Sequence, residues 1–167
     1  MKFALCNEVF EGWSWAATVQ TIAQAGYDGV EIAPFTLAES VEDLSPAQRS
    51  TIRRQAEDAG LEIVGLHWLF VSPKGLHVTT DDAATRRRTT AYMQALIEAC
   101  GDLGGKVMII GSPNQRDVQE GVPYRVAWAR FVDMIEACLD RAAARGVTLC
   151  MEALPSDATN FVTSLDE

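Results

Sequence analysis

Five short apolar segments of the chain each end in a polar side chain that could take part in chemistry. These side chains are Asn7, Glu31, His67, Ser112 and Glu152. Around Glu152 apolar and polar residues alternate, which predicts a strand with Glu152 on the same face as Thr148 and Cys150. A carboxylate at such a strand end suits a metal ligand or a general base, and it equally suits a capping group that accepts a loop N–H.

Glu31 and His67 end the second and third apolar segments. The alternation of the strand predicts that Glu31 points towards the mouth of the predicted sheet. The alternative is that Glu31 is an ordinary surface carboxylate at the end of a strand. His67 shares the parity of Ile63 and Gly65, so it is predicted on their face, either as a ligand or as a structural histidine. Trp68, next to it, either walls a sugar-sized pocket or packs in the core.

Two further features bear on chemistry. Arg116 lies in the loop after the fourth apolar segment, where it could bind a phosphate or carboxylate with two parallel hydrogen bonds or simply be exposed. The four cysteines are scattered and form no CxxC pair. They are therefore predicted to be buried free thiols, not a disulfide frame or a zinc knuckle.

The elements that must position these residues alternate along the chain. Predicted strands cover residues 2–6, 28–33, 61–69, 106–111 and 147–153. One predicted helix is capped by Ser14 and ended by Gly26, and the next runs from a capping box at Ser45 to Gly60. Two longer helices are predicted over about residues 81–102 and 124–145, each with an apolar stripe of helical spacing.

A repeated junction links these elements, since a helix ends on glycine and a strand begins within about two residues at Gly26, Gly60, Gly104 and Gly146. Strands alternating with helices predict a parallel sheet, either an open doubly wound sheet or a (β/α)8 barrel. The barrel is favoured, because no glycine-rich phosphate loop follows the first strand and polar residues recur at successive strand ends. We predict an α/β fold: the N-terminal portion of a TIM barrel, with about five strands and four helices in one domain over residues 1–167.

The charge and the distribution of apolar residues argue against two classes of function, nucleic-acid binding and membrane insertion. The chain has 167 residues, 48% of them hydrophobic, and a net charge of −9. Strong negative charge disfavours nucleic acid as a partner. No apolar run approaches the roughly 20 residues that span a bilayer, and the apolar N-terminus is too short for a signal peptide. These features predict a cytoplasmic protein with no membrane partner.

Four motifs in order resemble the sugar phosphate isomerase/epimerase family of xylose isomerase-like TIM barrels. They are Gly-Tyr-Asp-Gly-Val-Glu31, Gly-Leu-His67-Trp, Gly-Ser112-Pro-Asn-Gln-Arg116 and Cys-Met-Glu152-Ala-Leu-Pro. The superfamily also holds ketose 3-epimerases, hydroxypyruvate isomerases and endonuclease IV. The likeness covers the whole chain, but only about five-eighths of the family's barrel.

The resemblance implies a divalent metal, Mn²⁺ or Mg²⁺, with Glu152 as its first ligand and three further ligands from strands beyond residue 167. It also implies that Glu152 shuttles a proton next to the substrate carbonyl through an enediolate. Predicted contacts to a sugar or sugar-phosphate substrate are His67, Glu31, Trp68, Ser112, Arg116 and Asn160.

Two alternatives stay open at this stage. One is an endonuclease IV-like zinc (Zn²⁺) enzyme acting at abasic DNA, although Gly111 and Ser112 stand where that pattern wants a histidine. The other is a catalytically incomplete chain. Ser164 begins a capping box, which predicts the start of a helix, but the sequence ends at Glu167 before the first turn of that helix is complete. On that reading these residues alone are silent and bind metal weakly. They either self-associate as a homo-oligomer through the fifth strand or belong to a longer polypeptide.

Overall fold

The computed structural model describes residues 1–166, and a sheet of five parallel strands lies at its centre. The strands are β1 (Ala4–Cys6), β2 (Gly29–Ile32), β3 (Glu62–Leu66), β4 (Val107–Ile110) and β5 (Thr148–Met151). The helices are α1 (Trp15–Gln24), α2 (Pro46–Asp58), α3 (Ala83–Leu103) and α4 (Tyr124–Arg145). The strands lie side by side in chain order. This order is that of a barrel wall and not of a doubly wound sheet, whose order reverses at a switch point, so the partial-barrel prediction is confirmed.

Local signals end the helices as the sequence predicts. Ser14 Oγ accepts the Ala17 N–H at the start of α1, and Ser45 forms a reciprocal capping box with Gln48 at the start of α2. A glycine of positive φ follows each helix, at Gly26, Gly60, Gly104 and Gly146. The predicted capping box that begins at Ser164 includes Glu167, which lies outside the described residues; within them Ser164 Oγ accepts the Asp166 N–H at 3.3 Å.

Strand β3 contains a bulge that the sequence did not predict, and this bulge sets the direction of the His67 side chain. Val30 pairs with Ile63 but Glu31 pairs with Gly65, so Val64 is an extra residue, a bulge. The bulge changes the alternation: Ile63 is buried in the core, whereas His67 reaches Glu31, and the prediction that they share a face is wrong. The strand also stops at Leu66 instead of residue 69, because Trp68 adopts a left-handed backbone with φ of 56°.

The core lies between the sheet and the helices. Helix α3 buries the predicted stripe of Tyr92, Leu96, Ala99 and Leu103, and α4 buries Phe131, Cys138 and Ala142. Between residues 1 and 166, no helix combines the length and apolar character that crossing a membrane requires.

Candidate active site at the carboxyl ends of the strands

Three of the predicted site residues meet at the carboxyl ends of β2, β3 and β5. His67 lies between two carboxylates, with its Nδ1 3.4 Å from Glu31 Oε2 and its Nε2 3.9 Å from Glu152 Oε2. All three side chains are half-buried; Glu152 is the most open, with 39% of its side chain exposed. The site therefore has a histidine between two acids, one of them accessible to a small molecule.

Cys6 belongs to the same cluster. It ends β1 directly opposite Glu31 in the β1–β2 register, and it is half-buried. Ligating atoms of Cys6, Glu31 and His67 all lie within 4.8 Å of one another. The four cysteines are free, as predicted, but only Cys100 and Cys138 are buried; the prediction of burial is wrong for Cys6 and Cys150.

The surroundings of His67 favour its protonated form. The neighbouring side chains of Cys6 and, next in effect, Glu31 raise the pKa of His67 to about 10, against the opposing effect of burial. With no cation beside it, the ring is an imidazolium at neutral pH. A positive charge is thus stabilised between the two acids.

Glu152 is positioned by two residues of the segment that follows β4. A Cβ atom on Gly111 would overlap Glu152 Oε2, so the absence of a side chain there makes room for the carboxylate. Arg116 donates through Nη1 to the carbonyls of Ile110, at 3.1 Å, and Glu152, at 2.7 Å. The guanidinium therefore joins the ends of β4 and β5.

Trp68 and Ser112 adjoin the cluster in different ways. The Trp68 ring stacks on His67, with centroids 5.5 Å apart and planes 26° apart. Ser112 is buried, and its Oγ accepts the Phe70 N–H at 3.2 Å. Trp68 thus lies against the imidazole, whereas Ser112 joins the loop after β3 to the segment that follows β4.

Arg116 and Asn160 make structural contacts. Only 1% of Arg116 is exposed, which corrects the alternative of a surface arginine. Asn160 accepts the Val118 N–H and donates to the Val118 carbonyl, which attaches the loop after β5 to the loop after β4. Substrate contact by Ser112, Arg116 and Asn160 stays a prediction, and the polar atoms described here already bind protein backbone.

Sequence reasoning missed Cys6 and overrated Asn7 at the end of β1. The buried Asn7 side chain accepts the Ala33 N–H and donates to Thr36 Oγ1, so it braces the loop after β2. Cys6 could have been found by its strand position, since it is the last residue of β1 and directly pairs with Glu31. Its apolar neighbours in sequence hid this position.

A separate groove lies beside the first helix. Trp13 and Trp15 line a groove of about 530 Å³ together with Leu37, Leu44 and Ile52. Trp15 also donates its Nε1–H to the Ile52 carbonyl. The lining of this groove includes neither Trp68 nor any of Glu31, His67 and Glu152, so the groove is separate from the candidate site.

Parallel strands in chain order, with ionisable side chains at their carboxyl ends, define a barrel-type α/β architecture. Residues 19–167 match the family described as xylose isomerase-like TIM barrel, and the chain belongs to this family. No curated protein sequence matches the chain significantly.

Solved structures share this fold. A D-psicose 3-epimerase crystallised in the presence of D-fructose is 20% identical with a TM-score of 0.79, over 97% of this chain and 55% of that one. The D-psicose 3-epimerase of Clostridium cellulolyticum H10, with D-tagatose, is 17% identical with a TM-score of 0.78, over 97% and 55%. The 3-keto-D-glucoside 4-epimerase of E. coli is 16% identical with a TM-score of 0.72, over 92% and 56%. The chain thus spans about half the length of these relatives.

Proposed function

We propose that the whole protein is a metal-dependent isomerase or epimerase of a sugar or sugar phosphate. The observation that carries this proposal is the meeting of Glu152, His67 and Glu31 at the carboxyl ends of the strands, where barrel enzymes place their chemistry. Structural neighbours that are sugar epimerases support it. A cytoplasmic location goes with this proposal as a prediction.

The residues present fit one edge of a divalent metal site. Glu152 offers a half-exposed carboxylate, and Gly111 leaves the space that this carboxylate needs. Hard cations such as Mn²⁺ and Mg²⁺ take oxygen ligands, and Glu152 would hold the ion together with ligands supplied beyond residue 167. When bound, such an ion polarises the substrate carbonyl.

The chain's own residues supply acid–base chemistry. Glu152 removes the proton from the carbon next to the carbonyl, which leaves an enediolate. Isomerisation follows when Glu152 delivers the proton to the former carbonyl carbon, whereas epimerisation follows when a second acid protonates the original carbon from the opposite face. His67, held as a cation by Cys6 and Glu31, donates a hydrogen bond to a substrate oxygen. Trp68 supplies an apolar face beside it, as suits the C–H surface of a sugar.

The endonuclease alternative has no supporting observation in the site. The position after β4 carries Gly111 and Ser112, and Ser112 Oγ is engaged by the Phe70 N–H. The charge of −9 also opposes binding to a phosphate backbone. We therefore keep DNA only as a negative control.

The test is a panel of free ketoses, their phosphorylated counterparts and an abasic duplex, given to the full-length protein with Mn²⁺ or Mg²⁺. We expect epimerised or isomerised sugar from at least one ketose and exchange of its α-proton with deuterated water. Glu152→Gln should lower kcat by about 10²- to 10⁴-fold, the range for a lost general base. Glu136→Gln, an exposed site on α4, is the matched control. Unchanged turnover in Glu152→Gln, or cleavage of the abasic duplex alone, would contradict the proposal.

A further inference from the structure

Cys6, Glu31 and His67 come from three neighbouring strand ends and converge on one point. Cys6 ends β1, Glu31 lies in β2 and His67 directly follows β3. One ligating atom from each lies within 4.8 Å of the other two. Ligands carried by sheet strands are held more rigidly than ligands on loops, so this trio is positioned before any ligand arrives.

One atom of the trio lacks a partner that its burial demands. His67 Nδ1 is buried and makes no hydrogen bond of acceptable geometry, although Glu31 Oε2 is 3.4 Å away. Buried polar atoms are rarely left in this state. A cation placed among the nitrogen, the carboxylate and the thiol would satisfy all three.

We propose that Cys6, Glu31 and His67 form a zinc-binding site, separate from the ion that Glu152 is proposed to hold. Thiolate, imidazole and carboxylate are the donors that Zn²⁺ takes, whereas Mg²⁺ and Mn²⁺ favour oxygen. Three protein ligands leave the fourth tetrahedral position to water or to a substrate oxygen. The site does not depend on the proposed sugar chemistry; when zinc is bound, His67 is a neutral ligand and the ion takes the place of the His67 cation beside the substrate oxygen.

The proton balance of binding follows from the ligands. Zinc binds a thiolate and a neutral imidazole, so the Cys6 thiol and the His67 imidazolium each release one proton when the ion enters. Glu31 enters as a carboxylate. Bound zinc would join the ends of β1, β2 and β3 and would raise the melting temperature, because it binds only the folded chain.

The other cysteines are poor competitors for zinc. Cys100 and Cys138 are buried, and burial raises the pKa of their thiols to about 12 and about 11. Cys150 is half-buried like Cys6 but is not part of the trio, which makes Cys150→Ser a matched control for Cys6→Ser.

The experiment titrates Zn²⁺ into the metal-free full-length protein by calorimetry and repeats the titration with Co²⁺ while recording the absorption spectrum. Because the site at Glu152 can also take zinc, we expect two equivalents in the wild type and in Cys150→Ser, and one equivalent in Glu152→Gln. Cys6→Ser and Glu31→Gln should bind one of the two equivalents at least about 10- to 100-fold more weakly, the range reported even for partners outside the ligand sphere. The cobalt form should show a thiolate-to-metal charge-transfer band that is missing in Cys6→Ser.

The melting temperature of each metal-free variant shows whether it is folded. If Cys6→Ser does not fold, the wild-type cobalt spectrum decides, and a spectrum without a thiolate band overturns the proposal. Undiminished zinc affinity in Cys6→Ser overturns it as well.

Loss of all zinc in Glu152→Gln with full binding in Cys6→Ser would place the ion at Glu152 alone, which contradicts this site and leaves the proposed function standing. Unchanged turnover in Glu152→Gln, together with loss of one zinc equivalent in Cys6→Ser, would contradict the proposed function and leave this site standing.

Discussion

At the scale of single residues, the site depends on a glycine that leaves space as well as on its charged side chains. Glu152 can point where it does only because Gly111 carries no Cβ. The cluster of His67 between Glu31 and Glu152 then sets the local charge. Both features are local enough to be tested by single substitutions.

Gly111→Ala is expected to displace the Glu152 carboxylate, because the new methyl group would overlap Oε2. A displacement of about 1 Å at a reacting group lowers the rate by about 10²-fold, so kcat/KM of the full-length protein for the proposed reaction should fall by that order. The control is Gly111→Ala combined with Glu152→Gln. That double variant should be no slower than Glu152→Gln alone, and an additional loss would show that Gly111 acts by another route.

Burial lowers the pKa of His77, and the nearby charge of Asp117 opposes this in part. As pH falls through 6.5, the unfolded chain binds this proton before the folded one, so the free energy of unfolding should decrease. The slope is at most about 1.4 kcal/mol per pH unit for one proton. Urea denaturation of the metal-free protein between pH 7.5 and 5.5, compared with His77→Gln, measures it.

The other histidine contributes a pH slope of the opposite sign. The pKa of His67 is raised to about 10, so between pH 7.5 and 5.5 the folded His67 keeps its proton while the unfolded His67 gains one, and the stabilisation by His67 is complete only below about pH 6.5. This contribution is the same in the wild type and in His77→Gln, so the comparison of the two removes it. An equal pH slope in wild type and His77→Gln would show that His77 is not the group responsible.

At the scale of elements, one buried guanidinium joins the ends of β4 and β5. Arg116 Nη1 donates to both Ile110 and Glu152 carbonyls, which lie at the ends of neighbouring strands. Charged donors of this kind contribute about 1.5–3 kcal/mol. The clamp also fixes the backbone of the residue proposed as the base.

Arg116→Met should therefore lower the free energy of unfolding by about 1.5–3 kcal/mol, because the two carbonyls lose a charged donor. Arg125→Met, at an exposed position of α4, should change it by less than about 0.5 kcal/mol. Urea denaturation monitored by circular dichroism compares the two. Equal small effects would mean that water replaces the guanidinium without loss.

At the scale of the whole molecule, an ion-pair network joins three outer helices. Asp102 of α3 pairs with Arg49 of α2, at 3.1 Å, and with Arg145 of α4. Arg145 and Arg141 also pair with Glu98 of α3. The helices that surround the sheet are thus connected by charge as well as by their apolar faces.

Asp102→Asn should reduce the free energy of unfolding by about 1 kcal/mol, since the pairs are half-exposed and partly screened. The difference should shrink in high salt. Asp140→Asn, at an exposed position of α4, is the control and should be neutral. A loss that does not depend on salt would indicate packing, not charge, at Asp102.

Local patterns in the sequence determined the order of elements. Capping at Ser14 and Ser45, glycines after each helix and apolar stripes act within one or two turns, so they can be read without tertiary knowledge. The strand-end positions of Glu31, His67 and Glu152 could be predicted for the same reason. Their distances could not, because these depend on the register between strands.

Only the tertiary structure decided which polar residues are available for chemistry. The bulge at Val64 changes the face that His67 shares, and the pairing of Cys6 with Glu31 brings a thiol to the cluster. Arg116, which the sequence allowed to bind an anion or to be exposed, is buried against strand-end carbonyls. In each case the deciding contact joins segments distant in the chain. Sequence periodicity shows how a residue relates to its own element, and only packing shows which other element it meets.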